Sequence, residues 1–348
     1  MNAPKVKKET KNKIQVEFER TPFWERMKAK LINLYTVKRV VWYLFRFLLL
    51  LGISYVILFP FFSKISSSFM SPEDFVDVTV RLIPKHPTLD TYKAIIVDND
   101  YLLALLNTFV LSLVCALLQT FVCCIIGYGF AKFKFKGNSL LFLCVIFTMV
   151  VPHTTLQLSL FMKFRYFDIL GIVNLLGGGL IDAINLTDGT TSINFINTNW
   201  PLYIMSVTGL AYKNGLYIFL LRQFYRGIPD ELEESAYLDG SGVFRTFFSI
   251  IIPLSVTMLI TVFMFSFCWQ WTDNFYTNLF YTTAGDKLLP DIIKVPKSLD
   301  VNYAGQSLYT SAITNTCGIL IMAPLIVLYL FGQRYIVQGI ERSGLTAD

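Results

Sequence analysis

PDELEESAYLDGSG, residues 229–242, is a charged island inside an otherwise very apolar chain. It is followed by the mostly apolar residues VFRTFFSIII (243–252) and then by Pro253. Pro229 suits the first position of a helix, and the acidic residues after it suit the first turn, where the helix dipole favours negative charge. Gly240 can adopt positive φ and end that helix, and Ser241 can then cap the next one. The segment therefore predicts a short amphipathic helix, an elbow and a long apolar helix.

A helical wheel separates this segment into an apolar face and an acidic face. The first face holds Ile228, Leu232, Ser235 and Ala236, and the second holds Asp230, Glu233, Glu234 and Tyr237. The small side chains at Ser235 and Ala236 let a partner protein approach closely, and the acids around them offer ion pairs. We interpret the helix as a docking element, and the alternative is a solvated helix in a loop.

Long apolar runs dominate the rest of the chain. Of its 348 residues 54% are hydrophobic and 16% are charged, whereas about a quarter are charged in soluble domains. A bilayer-spanning helix needs roughly 20 mostly apolar residues, and six stretches qualify, at about 44–63, 101–127, 139–162, 201–221, 246–268 and 309–332. We predict an all-α integral membrane protein with six transmembrane helices and the elbow between spans four and five.

Lysine and arginine are distributed unevenly over the segments between these spans. If the N-terminus lies in the cytoplasm, the inner segments hold 19 of these residues and the outer segments nine. Cytoplasmic loops of membrane proteins carry such an excess. We therefore predict that both termini and the elbow are cytoplasmic. A net charge of +6 that is explained in this way does not indicate nucleic-acid binding.

Motifs for catalysis and metal binding are absent from the sequence. The six cysteines lie in apolar runs, and the two histidines, His86 and His153, form no ligand spacing. Gly-x-Ser-x-Gly and His-Glu-x-x-His do not occur, nor does the Gly-x-x-x-x-Gly-Lys-Ser/Thr loop that holds a triphosphate. We predict no catalytic residue, no metal and no cofactor bound by this chain.

Polar residues inside the predicted spans are candidates for a solute path, because they are costly in a bilayer. These candidates are Asn107, Lys213, Asn214 and Asn315. The amides are equally suited to joining helices, and Lys213 to reaching an interface or a partner subunit.

Four positions near span ends carry further predictions. Pro152 predicts a kink in the third span. His153 is either a proton relay or an interface histidine. Trp269 and Trp271 are either anchors at the outer interface or platforms for a sugar ring.

The remaining segments are polar. Residues 1–39 predict a basic cytoplasmic tail and residues 341–348 a second cytoplasmic tail. The outer segment 164–200 contains Asp188-Gly189 between β-forming residues, which predicts a hairpin.

The elbow resembles the EAA motif in permease subunits of binding-protein-dependent ABC importers. That motif has Glu-Ala-Ala, a glycine six residues after the glutamate and a proline thirteen residues after the glycine. Here Glu234-Ser235-Ala236, Gly240 and Pro253 stand in those places. Weaker matches to the sugar-importing, maltose-type subunits follow the same order at Arg46–Phe69, Tyr128–Gly137, Met149–Leu175, Phe219–Phe224 and Gln333–Ile340. The chain departs from them in its last residues, in a longer outer insertion at about 176–199 and in Lys213.

The resemblance implies a permease subunit whose transmembrane domain covers 40–340 and which imports a sugar or oligosaccharide. The elbow, at about 228–242, would be a coupling helix that docks on a cytoplasmic ATPase. The docking residues would be Glu231, Leu232, Glu233, Glu234, Ser235, Ala236, Asp239, Gly240 and Ser241. The implied partners are a second homologous permease, two ATPase subunits that hold ATP and Mg, an extracellular solute-binding protein and the lipid bilayer. The implied location is the cell membrane of a bacterium or archaeon.

Three other functions compete with this one. An ABC permease could carry a non-sugar solute such as a peptide. An integral-membrane enzyme would require a nucleophile or a metal, and neither motif is present. A carrier driven by protons or ions would require several acids in its spans, and these runs contain almost none.

Overall fold

The structure is a computed structural model that describes residues 6–8, 14–16, 34–168, 193–282, 288–299 and 306–344. The predicted Asp188-Gly189 hairpin and most of the predicted insertion at 176–199 lie outside these residues. The chain divides into two compact units, Met1–Lys64 and Ile65–Asp348, which are described separately.

The first unit contains a two-stranded hairpin and most of one long helix. Strands β1 (Val6–Lys8) and β2 (Ile14–Val16) pair antiparallel, with Val6 opposite Val16. Helix α1 (Leu34–Ser67) begins five residues before the predicted end of the basic tail. Its segment Lys38–Ser67 has a mean hydropathy of 2.1 and is long enough to cross a membrane, which agrees with the predicted first span.

The described residues of the second unit form helices joined by turns and loops. Its α-helices are α2 (Pro72–Val76), α3 (Asp90–Asp98), α4 (Tyr101–Lys132), α5 (Asn138–Val150), α6 (Gln157–Arg165), α7 (Trp200–Thr208), α8 (Asn214–Arg226), α9 (Glu231–Leu238), α10 (Val243–Thr246), α11 (Ile252–Trp271), α12 (Phe275–Phe280) and α13 (Gln306–Gly344). Short 3₁₀ helices occur at His153–Leu156, Leu289–Ile292 and Lys297–Leu299.

Helix α4 is the centre of this unit, because α7, α8 and α11 all pack against it. Gly127 allows the closest approach, since a Cβ there would lie 2.9 Å from the Leu221 Cβ of α8. Gln119 joins three helices: its Nε2 donates to Ser206 of α7 at 3.2 Å, and its Oε1 accepts from Ser266 of α11 at 2.8 Å. Such hydrogen bonds between apolar helices hold them in one register.

One π-helical turn, Phe247–Ile251, connects α10 to α11. Pro253 explains it, because proline has no N–H to donate and its ring displaces the carbonyl four residues earlier. The resulting segment Val243–Trp271 runs without a break and is long and apolar enough to span a membrane. At its far end Trp271 is buried and its Nε1 donates to the Ile321 carbonyl of α13 at 3.0 Å.

Pro152 kinks the third predicted span, as its sequence position indicated. Helices α5 and α6 meet at an angle of 95° across the break between Val150 and His153. The helix ends before Pro152 because proline disfavours the α conformation of the residue that precedes it. The two short helices reach spanning length only if the bent pair is counted as one span.

The predicted fourth span is broken, which corrects the expectation of one continuous helix over 201–221. Helix α7 ends at Gly209 with φ +74°, and α8 begins after Lys213 with φ +67°. Neither piece meets the length of a span. Within the described ranges the structure therefore has four helices that could cross a membrane, or five with the bent pair, where the sequence predicted six.

Helices α11 and α13 pack closely at Gly339, and this contact gives a testable prediction. A Cβ at Gly339 would overlap Thr261, whose Oγ1 is fixed by hydrogen bonds to the carbonyls of Thr257 and Tyr335 at 2.8 and 3.1 Å. We expect Gly339→Ala to lower the free energy of unfolding by about 2 kcal/mol, because the helices must move apart. The midpoint of thermal unfolding in detergent measures this.

Gly332→Ala is the matched control. Gly332 lies on α13 seven residues before Gly339. A Cβ there would meet the thioether of Met264, which can move to another rotamer. We expect this variant to unfold within about 0.5 kcal/mol of the wild type. Equal destabilisation of both variants would contradict the close-packing explanation.

A buried carboxylate organises the segment after α1 and gives a prediction on pH. Asp74 of α2 accepts the backbone N–H of His86 at 3.1 Å, and its other oxygen lies 3.1 Å from His86 Nδ1. Burial alone raises the pKa of Asp74, but the hydrogen bonds from His86 outweigh it and hold that pKa below its usual range.

The stabilisation by Asp74 is therefore present above its ordinary pKa of about 3.9 and is lost as the pH falls through the lowered folded value. We expect the His86 amide to exchange hydrogen faster below about pH 4, after correction for intrinsic exchange. In Asp74→Asn this pH dependence should disappear. A wild-type amide whose corrected exchange is constant from pH 6 to pH 2.5 would contradict the role of Asp74.

Candidate functional site

Helix α9 forms the elbow that the charged segment predicted. Asp230 occupies its N-cap position, so Pro229 precedes the helix instead of opening it. Gly240 has φ +80°, as predicted, and ends the helix. The N–H groups of Gly240 and Ser241 donate to the carbonyls of Tyr237 and Ala236 at 3.0 and 2.9 Å, the paired bonds of a Schellman motif. The prediction that Ser241 caps the next helix was wrong, because Gly242 holds that position.

Glu233 attaches the elbow to the end of α4. Its residue surface is only 7% exposed, its Oε2 accepts from the Tyr128 hydroxyl at 2.9 Å, and its Oε1 lies 3.3 Å from Lys132 Nζ. The helical wheel placed Glu233 on the outer acidic face, and the structure corrects this. The inner face consists of Glu233 and Ala236, whereas Leu232 and Ser235 are exposed.

Lys132 is the last residue of α4 and joins the same network. Its Nζ donates to Asp230 Oδ1 and to the Ile228 carbonyl, both at 2.6 Å. The hydrogen bond from Lys132 lowers the pKa of Asp230 below its usual range. We name the set Tyr128, Lys132, Asp230 and Glu233 the anchor network. It connects the elbow to a helix of 32 residues, about 48 Å long.

The outward side of the elbow combines acids with large apolar side chains. Leu238 is 89% exposed and Phe244 is 80% exposed. We name the exposed residues Leu232, Glu234, Ser235, Leu238 and Phe244 the elbow surface. Glu231, Asp239 and Gly240 are also exposed, and Ser241 is half-buried. Exposed leucine and phenylalanine beside fixed charges are typical of a protein-docking surface.

A cavity of about 990 Å³ lies beside the two helix breaks of the second unit. Its walls come from the α5–α6 bend, the α7–α8 break and the end of α11 with the residues that follow. The charged and ring-bearing polar residues on these walls are His153, Lys163, Tyr212, Lys213, Trp269, Asp273 and Tyr276. In the part of the chain that the structure describes, no three His, Cys, Asp or Glu side chains lie together as a metal site would require.

Lys213 lies on the cavity wall at the α7–α8 break. Its Nζ is 4.6 Å from the ring centroid of Tyr212 and 4.9 Å from that of Trp269, so both rings stabilise the ammonium through cation–π contacts. Its φ of +67° is uncommon for a residue with a side chain and suggests a functional constraint. The sequence placed Lys213 inside a continuous helix; the structure places it at a helix break.

His153 and the two tryptophans have definite positions. His153 Nδ1 lies 3.0 Å from the Tyr276 hydroxyl, and both side chains line the cavity. Trp269 is part of the cavity wall, whereas Trp271 is buried against α13 and so does not act as an interfacial anchor. Burial removes the anchor role for Trp271, whereas for Trp269 the anchor and the platform both stay predictions.

The other predicted path residues are not brought together. Asn214 is fully buried next to Lys213, and neither polar atom of its amide group has a hydrogen-bond partner among the residues that the structure describes. Asn107 and Asn315 are half-buried and do not line the cavity. Three residues of the cavity wall were not predicted from the sequence, Tyr212, Asp273 and Tyr276. Pro152 signalled the α5–α6 bend, but the α7–α8 break was not predicted, and no local pattern marked Tyr276.

The segment that contains the elbow and the cavity is similar to known transport proteins. A family model described as "Binding-protein-dependent transport system inner membrane component" matches residues 124–342, which include the elbow and most of the cavity walls. The chain is 25% identical to an inner membrane ABC transporter permease protein of Escherichia coli (strain K12), over 83% of this chain and 91% of that protein.

The names of two further relatives include a sugar. The galactooligosaccharides transport system permease protein of Bacillus subtilis (strain 168) is 26% identical, over 88% of this chain and 97% of its own length. The maltodextrin transport system permease protein of Streptococcus pneumoniae is 25% identical, over 86% and 93%. A solved chain of a bacterial ABC transporter involved in the import of the acidic polysaccharide alginate has the same fold, with a TM-score of 0.60, 18% identity and coverage of 90% and 99%.

Proposed function

Because the chain belongs to the family of inner membrane components of binding-protein-dependent transport systems, we propose that it forms half of the path by which an ABC importer moves a sugar or oligosaccharide across the cell membrane. An extracellular binding protein delivers the solute, and a second permease of the same family forms the other half. The family match over 124–342 carries this proposal, because it covers the elbow, α11 and the final helix together.

Energy reaches this subunit from outside, since the chain has no loop that could hold a triphosphate. Two partner subunits bind ATP and Mg and hydrolyse the nucleotide. The elbow surface docks on one of them, with Leu238 and Phe244 as apolar anchors and Glu231, Glu234, Ser235, Asp239 and Ser241 around them. A docking surface biases a conformational equilibrium only through contacts that differ between the two states of the partner.

The anchor network gives a route from that contact to the membrane spans. Glu233 and Lys132 fix the elbow to the end of α4, and α4 in turn contacts α7, α8 and α11. A displacement of the elbow therefore moves α4 as a rigid body. Without the anchor network, the same displacement would only bend the link between α8 and the elbow at Gly227. The helix breaks beside the cavity are the places where such a movement can change its shape.

The cavity supports a sugar as the solute. Tyr212, Trp269 and Tyr276 present aromatic rings, and the rings of Tyr and Trp suit the C–H faces of a pyranose while their polar groups can bind hydroxyls. A volume of about 990 Å³ is at the upper end of the range usual for ligand pockets, which fits an oligosaccharide. The names of the two sugar-transporting relatives agree with this class.

Reconstitution tests the function as a whole. The chain is purified alone and with its partner permease, ATPase subunits and binding protein, and uptake into proteoliposomes is measured with radiolabelled oligosaccharides and with peptides. We expect saturable sugar uptake only in the complete assembly and only with hydrolysable ATP. Uptake by the lone chain, or uptake that is independent of ATP, would overturn the proposal. ATP-driven uptake of peptides but not of sugars would support the function as an ABC permease and refute the sugar as its solute.

A further inference from the structure

We propose that the cavity between the α5–α6 bend and the α7–α8 break selects an acidic sugar, whose carboxylate binds Lys213. This rests on the proposed function as a sugar permease and specifies its substrate class. The solute is a uronate or an oligosaccharide that contains one.

The charges on the cavity wall favour an anion. Two lysines, Lys163 and Lys213, line the cavity, and Asp273 is the only carboxylate among its described lining residues. That carboxylate already has hydrogen-bond partners within the protein. It accepts the backbone N–H groups of Tyr276 and Thr277 at 3.3 and 3.0 Å, at the start of α12. The described lining therefore has a net positive charge, and its one carboxylate is hydrogen-bonded to the first turn of α12.

The ammonium of Lys213 is oriented but not neutralised. In the described part of the chain no carboxylate lies within 4.0 Å of its Nζ, and the rings of Tyr212 and Trp269 contact it instead. Aromatic faces hold a cation in place without accepting its three N–H groups in ordinary hydrogen bonds. A carboxylate that enters the cavity can accept those donors, and charge-assisted hydrogen bonds of this kind are the strong ones.

The backbone around Lys213 adds to this positive potential. Lys213 precedes the 13 residues of α8, and Gly215 and Leu216 of the first turn also line the cavity. The N-terminal end of a helix carries partial positive charge, which favours an anion nearby. Gly215 is required there, because a Cβ would lie 2.6 Å from Thr148 Oγ1. The helix end and the lysine thus face the same space.

The rest of the wall identifies the anion as part of a sugar. One lysine suits the single negative charge of a carboxylate, whereas phosphate groups are typically bound by several donors or by arginine. Trp269 offers a ring beside the ammonium, where a pyranose can stack while its carboxylate reaches Nζ. The paired His153 and Tyr276 supply polar groups for its hydroxyls.

Direct binding to the assembled transporter, without the binding protein, tests the inference. The complex in lipid nanodiscs is titrated with oligomers of galacturonate, glucuronate, mannuronate and guluronate, each paired with its neutral counterpart, while tryptophan fluorescence is followed. We expect at least one uronate to bind more tightly than its neutral counterpart. Lys213→Met should weaken that binding by about tenfold or more, and Trp269→Phe should remove the signal that reports it.

Lys93→Met is the matched control, since Lys93 is an exposed lysine that pairs with Asp90 and does not line the cavity. It should bind the uronate as the wild type does. Equal affinity for every acidic and neutral pair, binding of neutral sugars only, or no loss in Lys213→Met would each overturn the inference.

Uptake by the complete transporter separates this outcome from the proposed function. ATP-driven uptake of neutral sugars alone would refute the acidic substrate and leave the sugar permease standing. Absence of uptake for every sugar, acidic and neutral, would refute both.

Discussion

Substitution of Leu238 and Phe244 together by aspartate should weaken the binding of the ATPase subunits by more than about one hundredfold and abolish ATP-driven uptake. These two side chains are 89% and 80% exposed at the tip of the elbow. Burial of each in a partner contributes about 1.5–3 kcal/mol, and two buried aspartates would add a desolvation cost. Co-purification of the ATPase with the tagged permease, and uptake into proteoliposomes, measure the two effects.

Val78→Asp is the matched control for the change from an apolar to an acidic side chain. Val78 is 93% exposed and lies between α2 and α3 in the chain, outside the elbow segment. We expect this variant to retain ATPase binding and uptake. Glu234→Lys, which reverses one charge on the elbow surface, should weaken ATPase binding by a smaller factor. Full ATPase binding by the double aspartate variant would show that the elbow surface is not the docking site.

The elbow was predictable from sequence in outline but not in its orientation. Gly240 marked the helix end, because positive φ at a glycine after an acidic helix is a local property of the backbone. The burial of Glu233 was not local: it depends on Tyr128 and Lys132, which are about one hundred residues earlier in the chain. A helical wheel counts a glutamate as solvent-facing and has no information on such a partner.

The membrane spans show the same division between local and tertiary causes. The kink at Pro152 follows from the chemistry of one residue, and the sequence predicted it. The break between α7 and α8 does not, since Gly209 and Lys213 stand in a run of otherwise ordinary apolar character. Isolated glycine is tolerated in many helices, so hydropathy favoured one continuous span.

The cavity is the feature that sequence reasoning reached least. Its residues come from three separate regions of the chain, and only Lys213 among them had been chosen as a path residue. Asn107 and Asn315 were chosen because they are polar within apolar runs, but this property also fits residues that join helices. What made Lys213 different is visible only in three dimensions: two rings that hold its ammonium at a helix break.

Glu233→Ala should uncouple ATP hydrolysis from transport and destabilise the protein by about 1–3 kcal/mol. The substitution leaves Lys132, whose side chain is 7% exposed, without its buried carboxylate and leaves the Tyr128 hydroxyl without its acceptor. Lys132 keeps its hydrogen bonds to Asp230 and to the Ile228 carbonyl, so the loss is smaller than for an ion pair whose remaining charge has no partner. We expect a lowered unfolding midpoint, and ATP hydrolysis by the assembled complex that no longer drives uptake.

Two comparisons separate a role in coupling from a role in stability alone. Glu231→Ala removes an exposed acid from the same helix and should leave the unfolding midpoint unchanged. The double variant Lys132→Met and Glu233→Met removes both buried charges and should recover most of the stability, since apolar replacements of a buried pair are often neutral. It also removes the hydrogen bonds that fix the elbow to α4, so we expect it to fold, to bind the ATPase and still to transport poorly. Recovery of transport along with stability would show that the anchor network only stabilises the fold, and that α4 does not carry the movement of the elbow into the spans.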